Sequence, residues 1–204
     1  MEFFGVDLIE LIKAVGVLGV AAIVFTESGL LVGFFLPGDS LLFTAGFLAS
    51  QGYLPIVPLV LLCFIAAVLG DNVGYAIGKR IGPRLFVREE SFFFHKNNVE
   101  KTRAYFERYG PKTIVIARFI PVIRTFAPLM AGVGTMHYRI FFLYNLAGGL
   151  LWSVCVPILG YALGATIPDV DHYLLPIILG IIFISFIPPA REYWRSRSKK
   201  ETYD

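Results

Sequence analysis

Residues 117–136 read ARFIPVIRTFAPLMAGVGTM and place two arginines, Arg118 and Arg124, inside an otherwise apolar stretch. Pro121 stands midway between them. In a continuous membrane helix a central arginine costs about 2.5 to 3.5 kcal/mol on insertion scales, and a proline removes a backbone hydrogen bond. The stretch is therefore predicted to be a broken segment that lines a polar cavity.

The composition indicates a polytopic membrane protein. Hydrophobic residues make up 56% of the 204 residues and charged residues only 16%, and the mean hydropathy is +0.70. Of the 18 lysines and arginines, nine lie in residues 79–112 and five in residues 191–200. The net charge of +3 therefore indicates membrane topology and not a nucleic-acid partner.

The order of apolar and basic stretches predicts one all-α membrane domain over residues 1–204. About twenty apolar residues are needed to cross the hydrocarbon. The predicted elements outside the broken segments are an N-terminal helix (3–24), three spans (54–78, 140–163 and 173–190), a basic loop with a helix (79–112) and a basic tail (191–204). The positive-inside rule places the loop and the tail in the cytoplasm. The side of the N-terminus stays open.

A second broken segment, residues 25–51, holds Glu27 and Asp39 at hydrophobic depth. The eleven residues between the two carboxylates are too few to cross the membrane, and Pro37 and Gly38 interrupt them. A re-entrant hairpin with its tip at these two residues is therefore predicted.

The loop charges predict opposite directions of entry for the two hairpins. The first, residues 25–51, precedes an inward-running span and is expected to enter from outside. The second, residues 113–136, follows the cytoplasmic loop and is expected to enter from the cytoplasm. Two opposed hairpins, each followed by a span, are typical of an inverted-repeat transporter with its site near the membrane midplane.

If the hairpin tips meet, Glu27, Asp39, Arg118 and Arg124 share one cavity. One interpretation is a set of ion pairs that pins the hairpins together, because buried charges are usually paired. The other is a lipid site, in which the arginines bind a phosphate headgroup and Glu27 or Asp39 accepts a proton to release them. The residues alone leave both open.

Other residues are expected to support this cavity. Backbone breaks that expose polar groups to it are predicted at Pro37, Gly38, Pro121, Pro128 and Gly132. Supporting roles are assigned to Asp71, Asn145 and Trp152. Asp71 resembles a turn residue or helix-end charge, whereas Asn145 and Trp152 share one face of a span and suit helix packing and interfacial anchoring. The three histidines lack metal-ligand spacing, so neither a metal nor a cofactor is expected.

Three motifs together resemble the bacterial DedA family, also called the SNARE-associated or VTT-domain superfamily. They are E-x(9)-P-G-D from Glu27, G-D-N-x-G-Y-x-x-G-K-x-x-G from Gly70, and the arginine-containing stretch itself. The match continues through M-x(4)-F-x(3)-N to G-x(3)-W at Trp152, so the resemblance covers about residues 25–164.

The resemblance implies a lipid-transport fold with two opposed re-entrant hairpins. Members are proposed flippases or scramblases, linked to undecaprenyl phosphate recycling, to phosphatidylethanolamine translocation and to tolerance that depends on the proton-motive force. The family's acidic pair corresponds to Glu27 and Asp39, and its essential arginines correspond to Arg118 and Arg124.

The first functional hypothesis is a proton-coupled flippase that returns undecaprenyl phosphate across the bacterial inner membrane. Alternatives are a flippase or scramblase of phosphatidylethanolamine or another phospholipid, a proton or small-cation antiporter, and a non-transport role in assembly or quality control. A lipid phosphatase is disfavoured because no nucleophile accompanies a phosphate-binding motif, so the protein is not expected to be an enzyme. The expected partners are a lipid phosphate, protons and the membrane, and small-residue faces are compatible with a homodimer.

Overall fold

A computed structural model describes residues 2–3, 6–29, 38–85 and 110–166. In these ranges the chain is helical apart from connecting turns and a short antiparallel ribbon that pairs β1 (Glu2–Phe3) with β2 (Val6–Asp7). The helices of the described ranges are α1 (Leu8–Gly29), α2 (Gly38–Ser50), α3 (Ile56–Leu85), α4 (Thr113–Ala117), α5 (Pro121–Val133) and α6 (Tyr138–Thr166).

Three of these helices are long and apolar enough to cross a membrane: Ile9–Gly29, Ile56–Ile81 and Tyr138–Thr166. Each exceeds the roughly twenty residues that the hydrocarbon requires. By contrast, α2 and α5 have 13 residues each, which corresponds to about 20 Å of helix. Neither short helix can cross the membrane alone.

The first and third helices extend beyond their predicted limits. The N-terminal helix was expected to end at residue 24, but α1 continues to Gly29 because no proline interrupts it, and it therefore carries Glu27. A kink at Gly16, with φ 60°, uses the freedom of glycine to adopt positive φ. Similarly, α3 continues past residue 78 through Lys79 and Arg80, both good helix formers.

The break in the second arginine-containing segment lies at residues 118–120, between α4 and α5. Ile120 is extended, with φ −118° and ψ 106°, as expected for a residue that precedes proline. Pro121 is the first residue of α5, where its missing N–H costs no helical hydrogen bond. The predicted break at Pro121 therefore coincides with the start of a helix.

The predicted breaks at Pro128 and Gly132 are wrong, because both residues lie inside α5. At Pro128 the helix gives up a single backbone hydrogen bond without ending. Gly132 serves packing, since a Cβ there would overlap the Tyr75 carbonyl and lie 2.7 Å from the Lys79 nitrogen of α3. The tip residue Pro37, residues 86–109 of the basic loop, the predicted span 173–190 and the tail 191–204 lie outside the described residues.

Each short helix packs against a long helix from the other half of the chain. In the second half, α5 lies on α3, where Gly78 meets the Leu129 backbone. In the first half, α2 lies on α6, where Gly160 meets the backbone of Phe43. Glycine at these contacts lets the helix backbones approach closely. The packing brings the starts of α2 and α5 into the interior between α1, α3 and α6.

Candidate functional site

Among the described residues, five carboxylate and guanidinium side chains lie in this interior. Four of them are only 4–7% exposed, namely Glu27, Asp71, Arg118 and Arg124. The fifth is Asp39, whose side chain is 23% exposed. Charges this deep in an apolar protein require partners, and their hydrogen bonds and ion pairs group them into two clusters.

The Arg124 cluster consists of Glu27, Asp39, Arg124 and Trp152. Arg124 donates from Nη2 to Glu27 Oε1 and from Nη1 to Asp39 Oδ1, the latter over 2.7 Å. Trp152 Nε1 donates to the same Asp39 oxygen at 2.8 Å, and the Arg124 guanidinium carbon lies 4.7 Å from the Trp152 ring centroid. Two carboxylates from different helices and an aromatic face therefore hold one guanidinium.

The local sequence explains how these groups meet. Asp39 is in the first turn of α2, where the helix dipole favours a negative charge. The preceding residue, Gly38, leaves room for the Glu27 carboxylate: a Cβ at this position would overlap Glu27 Oε2 and lie 2.8 Å from Arg124 Nη2. Arg124 projects from the first turns of α5, whose start Pro121 fixes. Gly38 thus acts through the absence of a side chain.

The Arg118 cluster consists of Asp71, Arg118 and Asn145. Arg118 Nη2 donates to Asp71 Oδ2 and, over 2.7 Å, to Asn145 Oδ1. The Asn145 amide then donates to the Val68 carbonyl at 3.1 Å. The cluster therefore joins the break between α4 and α5 to both long helices, α3 and α6.

The two clusters differ in net charge and in the hydrogen-bond partners of their arginines. In the Arg118 cluster one guanidinium faces one carboxylate and a neutral amide, so the ionised groups balance. In the Arg124 cluster one guanidinium faces two carboxylates, and Arg124 Nε has no hydrogen-bond partner among the described residues. The Arg124 cluster thus carries an excess negative charge, which favours uptake of a proton, and an unused donor, which can bind an anionic ligand once a carboxylate is neutralised.

The predicted single cavity of four charges is therefore divided. The structure brings Glu27, Asp39 and Arg124 together as expected but places Arg118 with Asp71. An arginine reaches its partner through a long side chain, so spacing in the sequence does not determine which carboxylate it contacts.

The three supporting residues contact the charges directly. Asp71 and Asn145 bind Arg118, and Trp152 binds Asp39, where packing and anchoring roles were expected. The sequence did indicate that Asn145 and Trp152 share one face of α6, because they lie seven residues apart. No group of three or more His, Cys, Asp or Glu side chains suited to a metal ion occurs in the described part of the chain.

Comparison with known proteins places the chain among membrane proteins. The VTT domain matches residues 36–162. Protein DedA of Escherichia coli K12 is 45% identical over 94% of this chain and 90% of its own length. An uncharacterized membrane protein of Mycobacterium leprae is 45% identical over 88% of the chain and 81% of its own length. The inner membrane protein YghB of Escherichia coli K12 is 33% identical over 84% of each chain.

No solved structure shows a significant match to the chain. The VTT-domain match includes the Arg118 cluster and, of the Arg124 cluster, Asp39, Arg124 and Trp152, and the similarity to DedA extends over 94% of the chain. The chain therefore belongs to the DedA family of VTT-domain membrane proteins.

Proposed function

We propose that the protein is a proton-linked transporter of a phosphate-bearing lipid in the bacterial cytoplasmic membrane, with undecaprenyl phosphate as the first substrate to test. The observation that carries the proposal is the pairing of Arg124 with both Glu27 and Asp39 in an interior formed by helices of which three, among the described residues, are of membrane-spanning length. A buried guanidinium is suited to a lipid phosphate because its planar fork matches two phosphate oxygens.

The chemistry consists of exchanging partners on Arg124. A proton that binds the Glu27 carboxylate removes its charge and weakens its bond to Arg124 Nη2. A phosphate oxygen of the lipid then takes that position, and Nε supplies a further donor. When the proton leaves, Glu27 competes again for the guanidinium and releases the headgroup. The proposed cycle includes no covalent step on the lipid and therefore describes transport.

The position of the cluster supports transport across the membrane. Trp152 is residue 15 of the 29 residues of α6, close to the middle of that span. The two helices of 13 residues, α2 and α5, are interpreted as the inner arms of the re-entrant hairpins. Their packing on the long helices of the opposite halves supports an inverted repeat. The basic tail is assigned to the cytoplasm by the positive-inside rule.

Reconstitution into liposomes tests the proposal. Wild-type protein is expected to move labelled undecaprenyl phosphate across the bilayer, faster with a pH gradient than without. Labelled phosphatidylethanolamine forms the second arm and distinguishes a carrier-lipid transporter from a general phospholipid flippase. Movement of neither lipid by folded protein would refute lipid transport, and proton exchange for a small cation in the same liposomes would favour an antiporter.

The matched variants are Arg124→Lys and Arg139→Lys. Lysine at position 124 keeps the charge but cannot bond two carboxylates in one plane, so transport is expected to fall at least about 10-fold. Arg139 is an exposed arginine in the first turn of α6, and lysine there is expected to leave transport unchanged. Equal transport by both variants would exclude an arginine-held headgroup.

A further inference from the structure

Arg118 is enclosed by its partners on several sides. It is 4% exposed, and its Nη2 binds both Asp71 and Asn145. On the α6 side the chain has two consecutive glycines: a Cβ at Gly148 would lie 3.5 Å from Arg118 Cδ, and a Cβ at Gly149 would lie 3.3 Å from Arg118 Nη1. The side chain therefore packs against the α6 backbone at a place where two glycines leave room for it.

The partners of Arg118 are themselves fixed. Asn145 is fully buried, and both ends of its amide are used, since Oδ1 accepts from Arg118 and Nδ2 donates to the Val68 carbonyl. Asp71 is 5% exposed and balances the guanidinium charge. In the Arg118 cluster one guanidinium balances one carboxylate, whereas the Arg124 cluster has an excess carboxylate and its Arg124 Nε has no hydrogen-bond partner among the described residues.

The place of Arg118 in the chain indicates what this cluster does. Arg118 is in the three-residue break between α4 and α5, and Arg124 follows six residues later on α5. Asn145 and Trp152 lie on the same helix, α6. A contact that holds the break against α3 and α6 therefore also sets where Arg124 meets the Trp152 ring.

We propose that Asp71, Arg118 and Asn145 form a lock that positions Arg124 against Glu27, Asp39 and Trp152, and that Arg118 does not bind the transported headgroup. Arg118 is thus a positioning residue and Arg124 the binding residue. The transport part of this proposal rests on the proposed function. The positioning part concerns only the folded protein and is measured without any lipid substrate.

Thermal unfolding of purified protein in detergent tests the lock. Removing one partner leaves the other buried charge unpaired, so Asp71→Asn and Arg118→Gln are each expected to lower Tm by several degrees. The double variant Asp71→Asn/Arg118→Gln restores a neutral, hydrogen-bonded pair and is expected to regain most of the loss. Additive losses in the double variant would overturn the lock.

The fluorescence of Trp152 distinguishes positioning from simple stabilisation. The chain has two tryptophans, so Trp194→Phe leaves Trp152 as the only one. In that background, folded single variants are expected to shift the Trp152 emission maximum, and the double variant is expected to return it to the starting value. A lower Tm with unchanged emission would mean that the cluster stabilises the fold without positioning Arg124.

Asn145→Ala provides the same measurement if either charge variant fails to fold, because it removes both hydrogen bonds of the Asn145 amide but leaves Arg118 paired with Asp71. Its expected effect is a smaller Tm loss with the same direction of emission shift. No emission shift in folded Asn145→Ala would contradict the positioning role.

Transport measurements distinguish the proposed roles of Arg118 and Arg124. Asp71→Asn/Arg118→Gln is expected to retain at least about half of the wild-type transport rate, whereas Glu27→Gln/Asp39→Asn/Arg124→Gln, which likewise leaves no charge of its cluster unpaired, is expected to lose transport. A folded Asp71→Asn/Arg118→Gln variant without transport would show that the Arg118 charge takes part in moving lipid. If the wild-type protein moves no lipid, the proposed function fails. The Tm and emission measurements still test whether the lock positions Arg124.

Discussion

One methyl group at Gly38 is expected to separate Glu27 from Arg124. The Cβ introduced by Gly38→Ala would overlap the Glu27 carboxylate and lie 2.8 Å from Arg124 Nη2, closer than van der Waals contact allows. The backbone itself accepts alanine, because φ at Gly38 is outside the left-handed region. The carboxylate must therefore move, and its bond to Arg124 is lost or misdirected.

The change in unfolding free energy combines the hydrogen bond that is lost with the higher helix propensity of alanine. A hydrogen bond between charged groups contributes about 1.5 to 3 kcal/mol. Alanine in place of a helical glycine returns up to about 1 kcal/mol. The net change in unfolding free energy is thus about 0.5 to 2 kcal/mol, or a Tm loss of no more than about 8 °C. A loss of about 2 kcal/mol in the interaction free energy at the site corresponds to about 30-fold slower transport.

The assay compares Gly38→Ala with Gly74→Ala in the same liposomes. Gly74 is a matched control because its Cβ would make only an ordinary contact, 3.5 Å from Pro128 Cβ. Glu27→Asp/Gly38→Ala is expected to recover part of the transport, since the shorter side chain withdraws the carboxylate from the new methyl group. Wild-type transport by Gly38→Ala, or an equal loss in Gly74→Ala, would refute this reasoning.

Three further substitutions test the contacts around the site. Trp152→Phe keeps an aromatic face for Arg124 but removes the Nε1 bond to Asp39, so transport is expected to fall about 5- to 10-fold, consistent with about 1 kcal/mol; an unchanged rate would remove this bond from the account. Tyr75→Phe removes the bond of 2.6 Å from the Tyr75 hydroxyl to the Met136 carbonyl and is expected to lower Tm by about 2 to 4 °C in a detergent melt, with no loss if water replaces that bond. Gly160→Ala is expected to destabilise the protein by about 1 to 3 kcal/mol, because its Cβ would overlap the α2 backbone; a normal melt would contradict the close packing of α2 on α6.

Hydropathy and charge predicted the helical membrane class well. Apolar length predicted spans over residues 54–78 and 140–163, and the structure has long helices there, over Ile56–Ile81 and Tyr138–Thr166, because apolar length does not depend on what the helices contact. Proline at position 121 predicted a helix boundary, because its ring restricts the preceding residue. By contrast, Pro128 did not end α5, since the neighbouring helices hold that segment helical despite one missing hydrogen bond.

The pairing of the charges required three-dimensional packing. From the sequence, Arg118 and Arg124 were equivalent, since both flank Pro121 at three residues. In the structure the helical break turns Arg118 towards Asp71 and α5 carries Arg124 to Glu27 and Asp39. The crossing positions of α3 and α5 determine which carboxylate each guanidinium reaches, and those depend on glycine contacts between helices that are distant in sequence.

The role of Trp152 likewise depends on three-dimensional packing. A tryptophan on an apolar helix favours the interpretation of an interfacial anchor. Its contact with Asp39 depends on α2 packing against α6 across 113 residues of chain. Gly46 and Gly160 make that packing close, and neither glycine indicates by itself which helix it will meet.

The central claim is that Arg124, released from Glu27 by a proton, carries a lipid phosphate. The most direct measurement is transport of labelled undecaprenyl phosphate in liposomes containing wild-type protein or Glu27→Gln, each with and without a pH gradient. We expect the gradient to accelerate transport by the wild-type protein and to have no effect on the residual transport rate of Glu27→Gln. An equal acceleration of both proteins by the gradient would contradict it.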